Sequence, residues 1–175
     1  MAAQLQHDTT SFTKRKFPIT LVCDRVNSPA NIGSIFRIAD SFGVEQIYFC
    51  GEDITVVSKR MQRTSRSTHE IIPYHESEDI ISVIDKLQSD GYKLIGLEIT
   101  ENSIPVAEYT FSEKDKIVLI IGEENLGISE DVLNRVTKSV HINMYGTNSS
   151  MNVATATGVA LYEITKQLMV NGNVQ

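Results

Sequence analysis

Residues 19–43, ITLVCDRVNSPANIGSIFRIADSFG, run from a strand through a loop into a helix. Ile19-Thr20-Leu21-Val22-Cys23 is a short apolar and β-branched run, as a buried strand requires. Asp24 to Ala30 contains Asn27-Ser28-Pro29 and reads as a loop. Asn31 is a good helix N-cap, and Gly43 a good residue just past a helix end. Between them Ile32, Ile35, Phe36, Ala39 and Phe42 fall at helical spacing on one apolar face.

The same alternation continues outward. Glu45 to Cys50 reads as a strand, residues 55–66 as a basic helical stretch, and Glu70 to Tyr74 as a short strand. Ser77 is placed to cap a helix with Ile80, Ile81, Ile84 and Leu87 on its apolar side, ending near Gly91. Tyr92 to Ile99 and Ile117 to Ile121 read as strands. Ser129 is placed to cap a short helix, Ser139 to Met144 forms a last strand, and a long helix covers about 151–170. Strands alternating with helices predict an α/β fold, a mostly parallel sheet with helices on both faces. Ligands of such sheets bind in loops beyond the carboxyl ends of the strands.

The chain has 175 residues, 41% of them apolar and 22% charged. That is the composition and length of one globular domain. Residues 1–17 are polar, end in Lys14-Arg15-Lys16, and read as an arm; 18–175 read as the domain. The formal charge of −6 means that any polyanion must meet a local basic patch. Cys23 and Cys50 each close an apolar run and read as small buried hydrophobes. His7, His69, His75 and His141 show no metal-ligand spacing, so no metal is expected. No GxSxG element is present. The start of the chain has no apolar signal core, and no apolar run approaches the ~18 residues of a membrane span. A cytoplasmic protein in a reducing compartment is expected, with no membrane partner.

Three loops carry unusual residues. In Asn31-Ile-Gly33-Ser-Ile-Phe-Arg37, Gly33 and Arg37 lie one turn apart, off the apolar stripe. A glycine there lets a partner approach beside a guanidinium suited to phosphate; the other reading is a surface Arg paired with Asp40. In Gly122-Glu123-Glu124-Asn125-Leu126-Gly127-Ile128-Ser129, two glycines frame an acidic loop between a strand and a helix. It lacks the Gly-Lys-Ser/Thr of a phosphate loop, and its acids favour a neutral or cationic ligand; the other reading is a tight turn with solvated acids. The third, Gly146-Thr147-Asn148-Ser149-Ser150-Met151-Asn152-Val153, sets small hydrogen-bonding side chains before a helix. Free N–H groups there suit a carboxylate or a ribose, or capping by Ser149 or Ser150. In that helix Ala154, Ala156, Gly158 and Ala160 are small enough for another backbone to pack close. Lys59, Arg60, Arg63 and Arg66 lie in an acid-free stretch, an expected RNA-binding strip or else a solvated face.

Taken in order, the three loops resemble the SpoU (TrmH) family of RNA ribose 2′-O-methyltransferases, of the SPOUT class, over about residues 18–168. The carriers are Asn31-x-Gly33-x-x-x-Arg37, Gly122-x-Glu124-x-x-Gly127-Ile128-Ser129, and Ile142-x-Met144-x-Gly146 followed by Ser150-Met151-Asn152-Val153. The resemblance implies a deep C-terminal trefoil knot, S-adenosylmethionine as cofactor, and a homodimer with its active site near the interface. It implies catalytic roles for Arg37, Asn31, Glu124, Ser150 and Asn152. It implies cofactor contacts, mostly backbone, from Leu97, Glu98, Gly122, Ile142, Met144 and Met151. Two departures stand out: Met151 where Leu is usual, which keeps apolar volume, and Asn143 where Pro is usual. With no further RNA-binding domain in this sequence, tRNA is favoured over rRNA as substrate. The competing reading is a catalytically silent RNA- or cofactor-binding module on the same fold.

Overall fold

A computed structural model describes residues 12–171; the first eleven residues of the expected arm lie outside it. Seven strands form one parallel sheet: β1 (Ile19–Asp24), β2 (Gln46–Cys50), β3 (Tyr74–Ser77), β4 (Tyr92–Leu97), β5 (Ile104–Pro105), β6 (Lys116–Gly122) and β7 (Lys138–His141). Their order is β3-β2-β1-β6-β4-β7-β5. The helices are α1 (Pro29–Ser41), α2 (Lys59–Ser65), α3 (Ile80–Ser89), α4 (Glu130–Leu133) and α5 (Val153–Asn171).

The strands bury both faces, as parallel strands covered by helices do. Leu21, Cys23, Phe49, Leu119 and Ile121 point to one side, where α1, α2 and α5 bring Ile35, Phe36, Met61, Leu161 and Ile164. Val22, Cys50, Leu94, Val118 and Ile120 point to the other, against Ile84 and Leu87 of α3 and Val132 of α4. Phe36 is fully buried, with its ring 5.5 Å from that of Phe49 and 5.4 Å from that of Tyr74, edge-on. Burial raises both thiols: Cys50 is pushed up to about 12 and Cys23 also well above its ordinary value.

Several boundaries differ from the sequence reading. The first helix begins at Pro29 with Ser28 before it, because proline is preorganised for the first helical position. Asn31 is therefore inside the first turn, not its cap. The expected strand at 70–74 forms instead at Tyr74–Ser77, since Thr68–Glu70 is a 3₁₀ turn. Ser77 ends that strand, and Asp79 caps α3 by accepting from the Ser82 N–H at 3.0 Å. Arg66 follows α2 in a left-handed conformation, φ 48°, so the helical stretch expected over 55–66 ends one residue before it. The last strand stops at His141, and β5, two residues long, carries no periodicity to read.

Gly33 faces α2 of its own chain. A Cβ there would stand 2.7 Å from the Met61 carbonyl oxygen and 2.7 Å from Thr64 Cβ. The close approach it permits is helix on helix, not ligand on helix. Gly158 of α5 likewise faces Ile38 of α1. Among the described residues no helix is long and apolar enough to cross a membrane.

Candidate active site

The carboxyl ends of β4 and β6, the loop after β6 and the turn before α5 enclose a cleft of about 530 Å³. Small-molecule and cofactor sites have this size. Leu97, Ile142, Met144 and Met151 give it apolar wall; Gly122 gives backbone; Glu98 and Glu124 give carboxylates. All six residues expected to touch a cofactor, Leu97, Glu98, Gly122, Ile142, Met144 and Met151, line it, with Glu124 and Ser150 beside them. Among the described residues no group of three or more His, Cys, Asp or Glu is placed to hold a metal ion.

The loop from Glu123 to Ser129 is folded tightly on itself. The Gly127 N–H donates to the Glu123 carbonyl at 3.0 Å, closing an isolated bridge. Gly127 has φ +64°, the left-handed region that glycine adopts at no steric cost. Gly122 is covered by the returning backbone of Gly127 and Ile128, which leaves no room for a Cβ. Thus both framing glycines shape the loop, while Glu124, Asn125 and Leu126 are exposed at its tip.

Two charged residues that sequence reasoning missed hold this loop. Asp24, 2% exposed, accepts from the Ser129 N–H at 2.7 Å and pairs with Arg25 Nε at 3.0 Å. Arg25 Nη2 donates to the Gly127 carbonyl at 3.2 Å. Register explains the reach: Asp24 at the end of β1 lies beside Gly122 at the end of β6. The signal in the sequence is an acid closing an otherwise apolar strand. The Glu98 side chain also holds the loop: it accepts from the Ile128 N–H at 3.1 Å and the Ile99 N–H at 3.0 Å.

Asn152 caps α5, its Oδ1 accepting from the N–H groups of Ala154 at 3.0 Å and Thr155 at 3.2 Å. This leaves Ser149 and Ser150 off the cap. Asn152 Nδ2 donates to Asn31 Oδ1 at 2.9 Å, so residues 121 apart in sequence join α1 to the cleft's edge.

Arg37 is not brought to this cleft. It lies exposed on α1, with no ion pair to Asp40 and none to Glu124 among the described residues. Lys59, Arg60, Arg63 and Arg66 are exposed and take part in no ion pair among the described residues; they stand on α2 and its end, away from the cleft wall.

An apolar cleft with an acidic rim at the switch point of a parallel sheet suits a ligand with flat neutral and cationic parts. A model of the SpoU rRNA Methylase family matches residues 18–162. The chain belongs to the SpoU rRNA methylase family. SpoU-type relatives bear this out. A Synechocystis protein named as an uncharacterized tRNA/rRNA methyltransferase is 31% identical over 150 residues, 84% of this chain and 53% of its own. The 23S rRNA (guanosine(2553)-2′-O)-methyltransferase RlmP of Bacillus subtilis is 27% identical, over 82% of this chain and 56% of its own. The tRNA (guanosine(18)-2′-O)-methyltransferase of Aquifex aeolicus is 24% identical, over 88% of this chain and 72% of its own. Among solved SpoU structures, the methyltransferase AviRb from Streptomyces viridochromogenes, in complex with AdoMet, superposes with a TM-score of 0.80 at 25% identity, over 94% of this chain and 65% of that one. The chain thus spans little more than half the length of several SpoU relatives it matches.

Proposed function

We propose that this chain transfers a methyl group from S-adenosylmethionine to a ribose 2′-hydroxyl of RNA, with tRNA favoured over rRNA, as a cytoplasmic homodimer. The observation that carries the reading is the convergence of the three motif loops. The acidic loop and the Ser150–Asn152 turn share one cleft, and Asn31 is tied to its edge through Asn152.

The cofactor, when bound, supplies an electrophilic methyl group on a positively charged sulfur. The residues present fit it. Leu97, Ile142, Met144 and Met151 offer apolar wall for a flat neutral base, and Glu123 and Glu124 offer negative charge opposite a cation. Catalysis then consists of aligning the ribose hydroxyl and helping it lose its proton. Arg37 holds the target phosphate and stabilises the developing alkoxide, because a guanidinium almost never gives up its proton. Ser150 and Asn152 position the ribose; Asn31 positions Asn152. Glu124 organises the acidic rim.

The position of Arg37 supports the homodimer reading, for it is exposed on α1 and does not line its own chain's cleft. A second copy packed on α1 and α5 carries an Arg37 towards a neighbouring cleft. The outer face of α5 supports this, for Val159, Tyr162, Met169 and Val170 are exposed along it. Sedimentation at twice the chain mass of 19.5 kDa is the expected result. The trefoil knot belongs to the same reading; its support is that β7 inserts between β4 and β5, which precede it in the chain. Lys59, Arg60, Arg63 and Arg66, with Lys14, Arg15 and Lys16, supply phosphate contacts within an acidic protein.

The test is methyl transfer. The protein is incubated with labelled S-adenosylmethionine and unmodified total RNA, and nucleosides are resolved by mass spectrometry. A labelled 2′-O-methyl nucleoside in the tRNA fraction is expected. Label on a base overturns the ribose assignment, and label in rRNA overturns the substrate preference. Cofactor binding without transfer marks a silent module.

A further inference from the structure

Three successive residues of the acidic loop are each gripped by a charged side chain from a strand end. Arg25 takes the Gly127 carbonyl at 3.2 Å, Glu98 the Ile128 N–H at 3.1 Å, and Asp24 the Ser129 N–H at 2.7 Å. Asp24 ends β1 and Arg25 follows it, and Glu98 follows the last residue of β4; these are the two neighbours of β6, the strand from which the loop springs. The loop is thus held from both sides. The geometry around the contacts is committed to them. Arg25 adopts a left-handed backbone, φ 58°, which an ordinary residue keeps only when its surroundings demand it. Gly127 leaves open the space that the Glu98 carboxylate fills, since a Cβ on it would strike that carboxylate. The second oxygen of Glu98 takes the Ile99 N–H at 3.0 Å, so one side chain joins two walls of the cleft.

We propose that Asp24, Arg25 and Glu98 are positioning residues of the cofactor cleft, presetting residues 127–129 before the cofactor arrives. This rests on the reading that the cleft binds S-adenosylmethionine. A glycine-framed loop carrying Glu123 and Glu124 next to two further carboxylates tends to splay through like-charge repulsion. Hydrogen bonds to charged groups are about twice as strong as neutral ones, and here they offset that tendency. A loop ordered in advance loses less entropy on binding, and affinity rises accordingly.

Glu98 is the residue to test, because it is only half-buried and its replacement leaves the buried Asp24 pair intact. Wild type, Glu98→Ala and Glu98→Gln are compared by calorimetric titration with S-adenosylmethionine, amide hydrogen exchange at Ile128, and thermal unfolding. Glu98→Ala is expected to bind about tenfold more weakly, the effect of one lost hydrogen bond to a charged acceptor. Ile128 exchanges faster in that variant. Glu98→Gln keeps one carbonyl acceptor on the same stem and recovers part of both losses; it also decides the matter if the alanine variant does not fold. Faster exchange with unchanged affinity in both variants overturns the proposal, as a merely structural clamp gives that pattern. Lost affinity with unchanged exchange also overturns it, since Glu98 would then touch the ligand itself. A wild type that does not bind S-adenosylmethionine overturns the cofactor reading, and the clamp with it; a wild type that binds, with variants that bind equally, overturns the clamp alone.

Discussion

The two halves of the sheet on either side of β1 are built by different means. Towards β3, chain order and sheet order agree: β1, β2 and β3 follow one another with α1 and α2 between and against them. That half is held by apolar contact, with Phe36 at its centre and Gly33 letting α1 and α2 touch. Towards β5, the order is β6-β4-β7-β5, and no two neighbours are consecutive strands of the chain. That half leaves long loops beyond its strands, and charged side chains hold them. The difference separates tasks. The locally wound half forms a rigid body that carries Arg37 and the cation strip on its outside. The rewound half carries the cleft.

The sharpest way to break this division is at Arg37, the charged group on the first half proposed to act on the RNA. Arg37→Ala is expected to lower methyl transfer by about 10²–10³-fold, the effect of removing one stabilising donor. Cofactor affinity and unfolding midpoint stay as in wild type, because Arg37 is exposed and makes no ion pair among the described residues. Weakened S-adenosylmethionine binding in that variant would show that the halves are not separable.

Gly33→Ala tests the rigid half directly. With Met61 O and Thr64 Cβ both 2.7 Å from the new carbon, one helix must shift. A loss of about 2–3 kcal/mol in chemical denaturation is expected. Ordinary stability would mean that α1 and α2 are more loosely joined than their geometry shows.

Lys59→Glu with Arg63→Glu sharpens the comparison at the next level down. RNA affinity at low salt is expected to fall about tenfold and its salt dependence to flatten, with S-adenosylmethionine affinity unchanged. An unaltered RNA titration would reduce the strip to a solvated face.

The smallest effect concerns the two thiols between the layers. Both are raised by burial, so the folded state keeps protons that the unfolded state gives up sooner. Their contribution to stability is complete below the unfolded thiol value of about 8.5. It declines as pH rises from there towards about 12, the value for Cys50. The unfolding midpoint therefore falls above pH 8.5, and a thiol reagent at pH 8 leaves native Cys23 and Cys50 unmodified. Rapid labelling at pH 8 would place an opening in the β1–β2 half.

Much of the candidate site is legible along the chain because the loops that build it are contiguous. Gly122 to Ser129 is short, glycine-framed and follows an unmistakable strand. Leu97 ends a recognisable strand, Ile142 and Met144 follow another, and Met151 precedes the last helix. Asn31 and Gly33 are legible as unusual but not in role. Pro29 outcompeted Asn31 for the helix start, and only the position of α2 shows what Gly33 faces. Asp24 and Arg25 escaped because a loop residue after a strand has no periodicity to mark it. Their meaning depends on β6 lying alongside β1, which are nearly a hundred residues apart.

Local chemistry by itself determined that this chain alternates strand and helix, that its ligand loops follow its strands, and which residue types those loops offer. Apolar period and glycine placement are properties of neighbouring residues, so they can be read in order. Tertiary structure alone decided that β6 lies between β1 and β4 and that β7 enters between β4 and β5. It placed Asn31 against Asn152 and kept Arg37 out of its own chain's cleft. Those outcomes come from matching buried surfaces and hydrogen-bond partners far apart in sequence, where no local pattern specifies which of several compatible strands will meet.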